Sequence, residues 1–262
     1  MLPYITILGK EIPMYGLMAA LGCLFAVLYL KIAQRRHPEL EADSELALVY
    51  GIIGVFVGAK LFYLIIIFPQ LLEDLPYLFS EPALFFQNYL YSGFVFYGGL
   101  AGAVAAVVLY CRIAKVRLKG ILQLLTPMLP LIHGFGRIGC LMAGCCYGRE
   151  AAIHRFGIVF PASSAAPAGI PLVPVQLYEA IAELLIFVLL VILFRKNWRG
   201  DAMLYLYLVC YGLVRFVLEF YRGDTYRGFI GPLSISQVIA LGCILIGIPL
   251  LTAIIRKKQC GA

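Results

Sequence analysis

Residues 175–195 read VQLYEAIAELLIFVLLVILFR, and this stretch decides the kind of fold to expect. Its 21 residues are almost all apolar, and a helix needs about 20 such residues to cross a bilayer core of roughly 30 Å. The stretch therefore predicts a membrane-spanning helix, and its few polar side chains then need partners inside the protein.

Similar apolar stretches recur along the whole chain. Of its 262 residues, 63% are hydrophobic and 13% are charged, and the mean hydropathy is +0.94. These values lie far from those of a soluble domain. We therefore predict an all-α, polytopic membrane protein with one transmembrane helical domain, residues 1–262. The seven expected spans are 13–33, 46–68, 92–112, 120–138, 175–195, 202–220 and 233–255.

The basic residues predict the orientation of these spans. Thirteen of the 21 lysines and arginines cluster in four segments, 31–36, 112–119, 195–199 and 256–258. Positively charged loops stay in the cytoplasm, so we expect the N-terminus outside and the C-terminus in the cytoplasm. The scattered basic clusters do not form the stripe typical of nucleic-acid binding. The first twelve residues lack the pattern of a cleaved signal peptide.

Two further patterns concern the shape of the bundle. Glycines spaced four apart, at 54 and 58 and again at 98 and 102, allow two helices to approach closely. The outer connectors 69–91 and 139–174 are long and could form a rim or a lid.

Residues 133–150, HGFGRIGCLMAGCCYGRE, place an arginine among glycines inside a predicted span. His133, Arg137 and Cys140 are spaced i, i+4 and i+7 on one helix face. A guanidinium fork matches phosphate oxygens, and the glycines let backbone come near whatever Arg137 holds. The alternative is an interfacial arginine that extends toward lipid head groups.

A second polar group lies at the end of the sixth span. Arg215, Glu219 and Arg222 share a face at i, i+4 and i+7, so Glu219 can hold both arginines. Two arginines around one carboxylate leave a positive charge, as an anion site requires. A purely structural ion network would have the same spacing.

A third polar group lies on the fifth span. Gln176, Glu179 and Glu183 share a face, and the two carboxylates need partners, either the arginines of the other groups or Lys60. We expect a structural role for Glu183, while the roles of Gln176 and Glu179 stay open.

These groups belong to motifs that run along nearly the whole chain. In order, they are Met14-Tyr15-Gly16-Leu17-Met18, Tyr97-Gly98-Gly99-Leu100, Gly136-Arg137-Ile138-Gly139 with Gly144 and Tyr147-Gly148-Arg149, Pro174-x-Gln176-Leu177-Tyr178-Glu179, Tyr211-Gly212-x-x-Arg215-x-x-x-Glu219-Phe220-x-Arg222, and Ser236-Gln237. Their order and spacing resemble those of the prolipoprotein diacylglyceryl transferases of bacterial inner membranes.

The resemblance implies a multi-pass enzyme of the bacterial cytoplasmic membrane without a cofactor. Such an enzyme moves the diacylglyceryl group of phosphatidylglycerol, or a similar anionic phospholipid, to the lipobox cysteine of a prolipoprotein signal peptide and releases glycerol 1-phosphate. Because negative charge grows on the departing phosphate, Arg137 and Arg215 would stabilise it, and Glu219 and Arg222 would orient them. The other substrate-binding residues implied are Tyr15, Gly98, Gly99, Gly139, Gly144, Gln176 and Glu179.

Two departures from the family pattern concern the chemistry. Tyr97 replaces the histidine proposed as the base for the incoming thiol, and a phenol with a pKa of about 10 is a poor base near neutrality. Cys140, Ala143 and Cys145-Cys146 replace polar family residues. Tyr97, Cys140 and Cys145 are therefore added to the catalytic candidates, since a cysteine beside Arg137 could act as a nucleophile.

The cysteines leave other interpretations open. They could pack as small apolar residues, or one could form a disulfide with a distant partner. The spacing of Cys140, Cys145 and Cys146, with His133 or His154, does not match known zinc sites, so no metal is expected. Two alternative functions follow: a related transferase with another acceptor and a catalytic cysteine, or a non-catalytic lipid or thiol transport protein.

Overall fold

The computed structural model describes residues 3–7, 9–86, 89, 95–153, 157–224 and 228–260. These residues are mainly helical, as predicted. The helices are α1 (Met14–Gln34), α2 (Glu41–Ile66), α3 (Phe68–Glu73), α4 (Tyr77–Ser80), α5 (Pro82–Phe86), α6 (Phe96–Ile113), α7 (Leu118–Leu125), α8 (Met128–Ala143), α9 (Val175–Arg195), α10 (Gly200–Glu219) and α11 (Ile235–Cys260).

Among the described residues, three short antiparallel strand pairs accompany the helices, and the all-α expectation did not include them. They are β1 (Tyr4–Ile7) with β2 (Lys10–Pro13), β3 (Ile158–Val159) with β4 (Pro171–Leu172), and β5 (Phe229–Ile230) with β6 (Leu233–Ser234). Each pair lies just before a long helix, so hairpins introduce α1, α9 and α11.

Six helical segments in the described residues are long and apolar enough to cross a membrane. They are Met14–Gln34, Pro38–Ile66, Leu118–Ala143, Val175–Arg195, Gly200–Glu219 and Ile235–Arg256. The chain is therefore a multi-pass membrane protein. The predicted span 92–112 corresponds to α6, of which the apolar part, Gly98–Ile113, is shorter. Residues 92–94 lie outside the described residues, and the seven-span count stays a prediction.

The fourth predicted span, 120–138, differs most from the structure. It is divided into α7 and α8 at Pro127, whose ring nitrogen cannot donate a helical hydrogen bond. The hydroxyl of Thr126 instead donates to the carbonyl of Leu122. α8 then continues to Ala143, so the first residues of the expected connector 139–174 belong to the helix.

The helices form two compact units. The small unit is His37–Ile121, and the large unit consists of Met1–Arg36 and Leu122–Ala262. In the small unit α2 packs along α6 through the predicted glycines. A Cβ atom on Gly102 would lie 2.8 Å from the Cα of Gly58, so backbone meets backbone there. The prediction of close helix approach is confirmed.

In the large unit α8 lies beside α1 and α9, and α10 lies beside α9 and α11. α9 therefore has the two arginine-bearing helices, α8 and α10, as neighbours. The connector after α8 is packed rather than loose, because Phe160 is buried among Leu141, Ala166 and Leu172. The expected connector 69–91 contains most of α3 and all of α4 and α5. Whether either segment acts as a rim or lid stays a prediction.

Candidate active site

The carboxylate of Glu179 is the centre of the polar interior of the large unit. Its side chain is 2% exposed. Arg137, from α8, places its Nε 3.1 Å from Oε2 of Glu179. Arg215, from α10, places its Nη1 3.2 Å from the same oxygen and 3.3 Å from Oε1. Three helices thus bring two guanidinium groups, which sequence had placed on separate spans, onto one carboxylate.

Glu219 extends this network from the end of α10. Its Oε2 lies 3.0 Å from Nη2 of Arg215 and 3.9 Å from Nη1 of Arg222. The prediction that Glu219 bridges both arginines is confirmed, although the contact with Arg222 is long. Asp224 binds Arg222 more closely, with Nε–Oδ1 and Nη2–Oδ2 distances of 3.0 and 2.6 Å.

Ser236, at the start of α11, was quoted in a motif but given no role. Its Oγ accepts a hydrogen bond of 3.0 Å from Nη2 of Arg215. Arg215 is therefore held by α9, by its own helix and by α11. Asp224 was also missed, although the short spacing from Arg222 could have suggested a two-residue clamp.

Glu183 pairs with a histidine, not with Lys60 or an arginine. Nδ1 of His133 lies 3.0 Å from Oε1 of Glu183. Nε2 of the same ring accepts from Nε of Arg137 at 3.2 Å, which places the ring proton on Nδ1, facing Glu183. This pairing agrees with the structural role expected for Glu183, while Lys60 lies in the small unit over the ring of Tyr63.

The charges of this cluster differ from the expected surplus of positive charge. Three carboxyl groups, those of Glu179, Glu219 and Asp224, contact the arginines Arg137, Arg215 and Arg222, and the carboxyl group of Glu183 lies behind them on His133. The cluster therefore has no positive excess among the described residues. Paired charges of this kind are far less costly within a membrane protein than isolated ones.

Arg137 is more exposed than the other two arginines and has donor groups that can bind a ligand. Its side chain is 15% exposed, against 7% for Arg215 and 5% for Arg222. Its Nε is engaged, but no described residue forms a hydrogen bond or an ion pair with its Nη1 or Nη2. Arg137 can therefore bind an anion without giving up its ion pair.

The cysteines lie where α8 ends. Gly144 has a φ of 73°, and its N–H donates to Leu141, while the N–H of Cys145 donates to the carbonyl of Cys140 at 3.1 Å. These two bonds form a Schellman motif, which reverses the chain and brings Cys145 back over Cys140. A side chain at Gly144 would be strained and would meet Ser164 at 2.6 Å. The turn and the close packing therefore explain the glycine at position 144 without reference to a substrate.

The segment after this turn is tied to the end of α10. The N–H of Arg149 donates to Tyr221 at 2.8 Å, and the N–H of Gly223 donates to Tyr147 at 3.0 Å. Gln176, which is buried, donates its side-chain amide to the carbonyl of Cys145 at 2.8 Å. Gln176 therefore fixes the cysteine turn to α9.

Cys146 lies in an environment that favours its ionised form. Hydrogen bonds from the thiols of Cys140 and Cys145 lower its pKa, and the positive charges of Arg222 and Arg137 lower the pKa further.

The remaining predicted residues fall into two places. Tyr15 of α1 packs against Gly139, two residues after Arg137, where an added Cβ would lie 3.1 Å from the ring. Gly98 and Gly99 lie in the small unit, against α2. The side chain of Tyr97 and the whole of His154 lie outside what the structure describes.

Comparison with known proteins decides the family. A family model described as prolipoprotein diacylglyceryl transferase matches residues 3–253. The chain belongs to this family. A relative from Clostridium tetani, named phosphatidylglycerol–prolipoprotein diacylglyceryl transferase, is 38% identical over 241 residues, which are 92% of each chain.

Other family members agree with this assignment. One from Clostridium perfringens is 36% identical over 244 residues, or 92% of this chain and 91% of the relative. One from Geobacter sulfurreducens is 31% identical over 253 residues, or 95% of this chain and 93% of the relative. Both have the same enzyme name, the former with the number 2. The present chain is thus a membrane transferase of this family.

Proposed function

We propose that this protein transfers the diacylglyceryl group of phosphatidylglycerol to the lipobox cysteine of prolipoproteins and releases glycerol 1-phosphate. The family assignment supports this reaction. The structural observation that supports it is the meeting of Arg137 and Arg215 on the buried carboxylate of Glu179. We place the reaction in the bacterial cytoplasmic membrane, with α6 as a seventh span, the N-terminus outside and the C-terminus in the cytoplasm.

The arginines would act on the leaving phosphate. During transfer the thiol sulfur bonds to the glycerol carbon, the C–O bond to phosphate breaks, and negative charge grows on the phosphate oxygens. Preorganised donors stabilise such charge strongly where water is excluded. In this proposal Nη1 and Nη2 of Arg137 contact the phosphate, because no described residue occupies them.

Arg215 has a different part in the proposal. Its Nη1 and Nη2 are held by Glu179, Glu219 and Ser236, so its position is fixed before substrate arrives. It shares the carboxylate of Glu179 with Arg137. The negative charge of Glu179 is therefore divided between two arginines and does not fully neutralise Arg137. Glu219 holds Arg215 and, at a longer distance, Arg222, and a backbone bridge joins Arg222 to Gly148, just after the cysteine turn.

The remaining predicted residues are assigned to binding. Gly139, two residues after Arg137, and Tyr15, which packs against it, would contact the lipid, and Gln176 would position the turn that follows Gly144. Gly98 and Gly99 pack against α2, so in this proposal they position α6 rather than contact the lipid. Tyr97 remains our candidate for the group that takes the proton from the incoming thiol.

The three cysteines support a second candidate function. Because Cys146 is favoured as a thiolate and Cys140 and Cys145 lie beside it, the chain could transfer a phospholipid-derived group to another acceptor through a cysteine. In that case the thiolate sulfur would bond to the glycerol carbon, glycerol 1-phosphate would leave, and the acceptor would then displace the cysteine.

A transfer assay distinguishes these functions. The purified full chain is mixed with phosphatidylglycerol labelled in its acyl chains and with a lipobox peptide. We expect a labelled peptide and an equal amount of glycerol 1-phosphate, with no labelled protein. Label on the protein that is removed by Cys146→Ser, Cys145→Ser or Cys140→Ser would support the cysteine route. Folded protein that transfers nothing to the peptide would contradict the main proposal.

A further inference from the structure

Three thiols lie close together at the end of α8, although the first is five residues before the second in the sequence. The Sγ atoms of Cys140, Cys145 and Cys146 all lie within 4.8 Å of one another. Each is a free thiol. The transferase chemistry described above does not require three adjacent thiols, so their convergence needs its own explanation.

Backbone hydrogen bonds at the end of α8 hold these thiols together. The Schellman motif places Cys145 over Cys140, and Cys146 follows with a φ of 59°, a left-handed conformation rare for a residue with a side chain. Gln176 then fixes the turn through the carbonyl of Cys145. Because the turn is formed by hydrogen bonds and packing, little rearrangement is needed to use the thiols as a set.

We propose that Cys140, Cys145 and Cys146 bind one thiophilic divalent cation, with Zn²⁺ as the metal that fits best. Zn–S bonds of about 2.3 Å at tetrahedral angles separate the sulfurs by about 3.8 Å. From the separation of up to 4.8 Å in the structure, the thiols need to close by only about 1 Å. On binding, each S–H gives its proton to solvent and each sulfur donates a lone pair to the metal.

The charges around the turn suit a thiolate complex. Three thiolates and one Zn²⁺ carry a single negative charge, and the positive charges of Arg137 and Arg222 act on the Cys146 sulfur. Soft thiolate ligands also select zinc over magnesium or calcium. His133 is not a ligand, because its Nδ1 faces Glu183 and its Nε2 faces Arg137. Three protein ligands leave one tetrahedral position for water.

A disulfide explains the arrangement less well than a metal does. A disulfide would use two of the thiols and leave the third without a purpose, and the neighbours Cys145 and Cys146 are poorly placed to bridge each other. The spacing of the cysteines in the sequence had argued against a metal site. The helix-ending turn overrides that argument, because it brings together residues whose separations do not match the usual motifs.

Metal titration of the full chain tests this proposal, which does not depend on the transferase activity. Untagged protein in detergent is reduced, stripped with a chelator and titrated with Co²⁺, whose visible absorption reports thiolate ligands. We expect one Co²⁺ per chain, displaced by Zn²⁺. Cys140→Ser, Cys145→Ser and Cys146→Ser should each abolish the signal. Cys210→Ser and Cys243→Ser, on α10 and α11, should leave it unchanged.

X-ray absorption of the zinc-loaded natural chain tests the site without any substitution. We expect three sulfur neighbours at about 2.3 Å from zinc. Melting temperatures of the serine variants, measured without metal, show whether a lost signal reflects a lost ligand or a lost fold. Two results would overturn the proposal: a reduced chain that takes up no Co²⁺, or a zinc shell without sulfur. A transferase-active chain that binds no metal would leave the proposed function intact.

Discussion

Two helix contacts in this protein differ in how they are held. α2 and α6 meet through glycines, whereas α8, α9 and α10 are joined by an ionic cluster. In the small unit the helices touch through glycines, and a single added methyl group would collide with backbone. In the large unit the helices are joined by arginines and carboxylates, and a single removed charge would leave its partner unpaired. The first contact is sensitive to added volume, whereas the second is sensitive to lost charge.

The largest loss of stability is expected from Glu179→Gln. This change leaves Arg137 and Arg215 without their shared carboxylate, and removal of one partner from a buried pair costs on the order of 3–5 kcal/mol. Thermal unfolding in detergent measures the effect. Glu39→Gln removes an exposed carboxylate and should change stability by less than about 0.5 kcal/mol. Equal stability of the two variants would mean that the network contributes no more than a surface charge.

Gly102→Ala should come next, with a loss of roughly 1–3 kcal/mol, because the added methyl group overpacks the contact with Gly58 and Gly54. Gly242→Ala is the matched control, since a Cβ there meets nothing within 4 Å. As helix-interior glycines are unfavourable, that variant should be unchanged or more stable by about 0.5–1 kcal/mol. If both variants melt alike, close backbone approach does not hold α2 against α6.

Ser236→Ala should have the smallest effect of this series. It removes one hydrogen bond to a guanidinium group that keeps two carboxylate partners, so we expect a loss of about 1 kcal/mol. The exposed Ser80→Ala is the control. Because Ser236 acts through Arg215, the transfer assay should show a lower kcat with little change in KM. A change in KM alone would place Ser236 against the lipid instead.

Contacts within a single helix could be predicted from the sequence, whereas contacts between helices could not. The bounds 175–195 and the pair Arg215–Glu219 follow from helix length and periodicity. Neither property says which helices are neighbours. The sequence therefore left several possible partners for Glu179, of which Arg137 and Arg215 were two. The pairing of Glu183 with His133 was missed for the same reason.

The cysteine turn was hidden for a different reason. Metal sites are recognised from the sequence spacing of their ligands, and each known spacing belongs to a known backbone conformation. Here Gly144 ends α8 in a left-handed conformation, so residues five and six positions apart come into contact. The strand pairs were also missed, because each has only two to four residues and no clear alternation.

Arg137 tests the central claim most directly, since the account depends on its Nη1 and Nη2, which pair with none of the described residues. Arg137→Gln is compared with Arg137→Lys, which keeps the charge but loses the fork, and with Arg36→Gln, an exposed control. In the phosphatidylglycerol assay on folded protein, we predict that Arg137→Gln loses about 10²–10³-fold in kcat, that Arg137→Lys loses less, and that Arg36→Gln is unchanged. Natural transfer rates in folded Arg137→Gln would contradict the account.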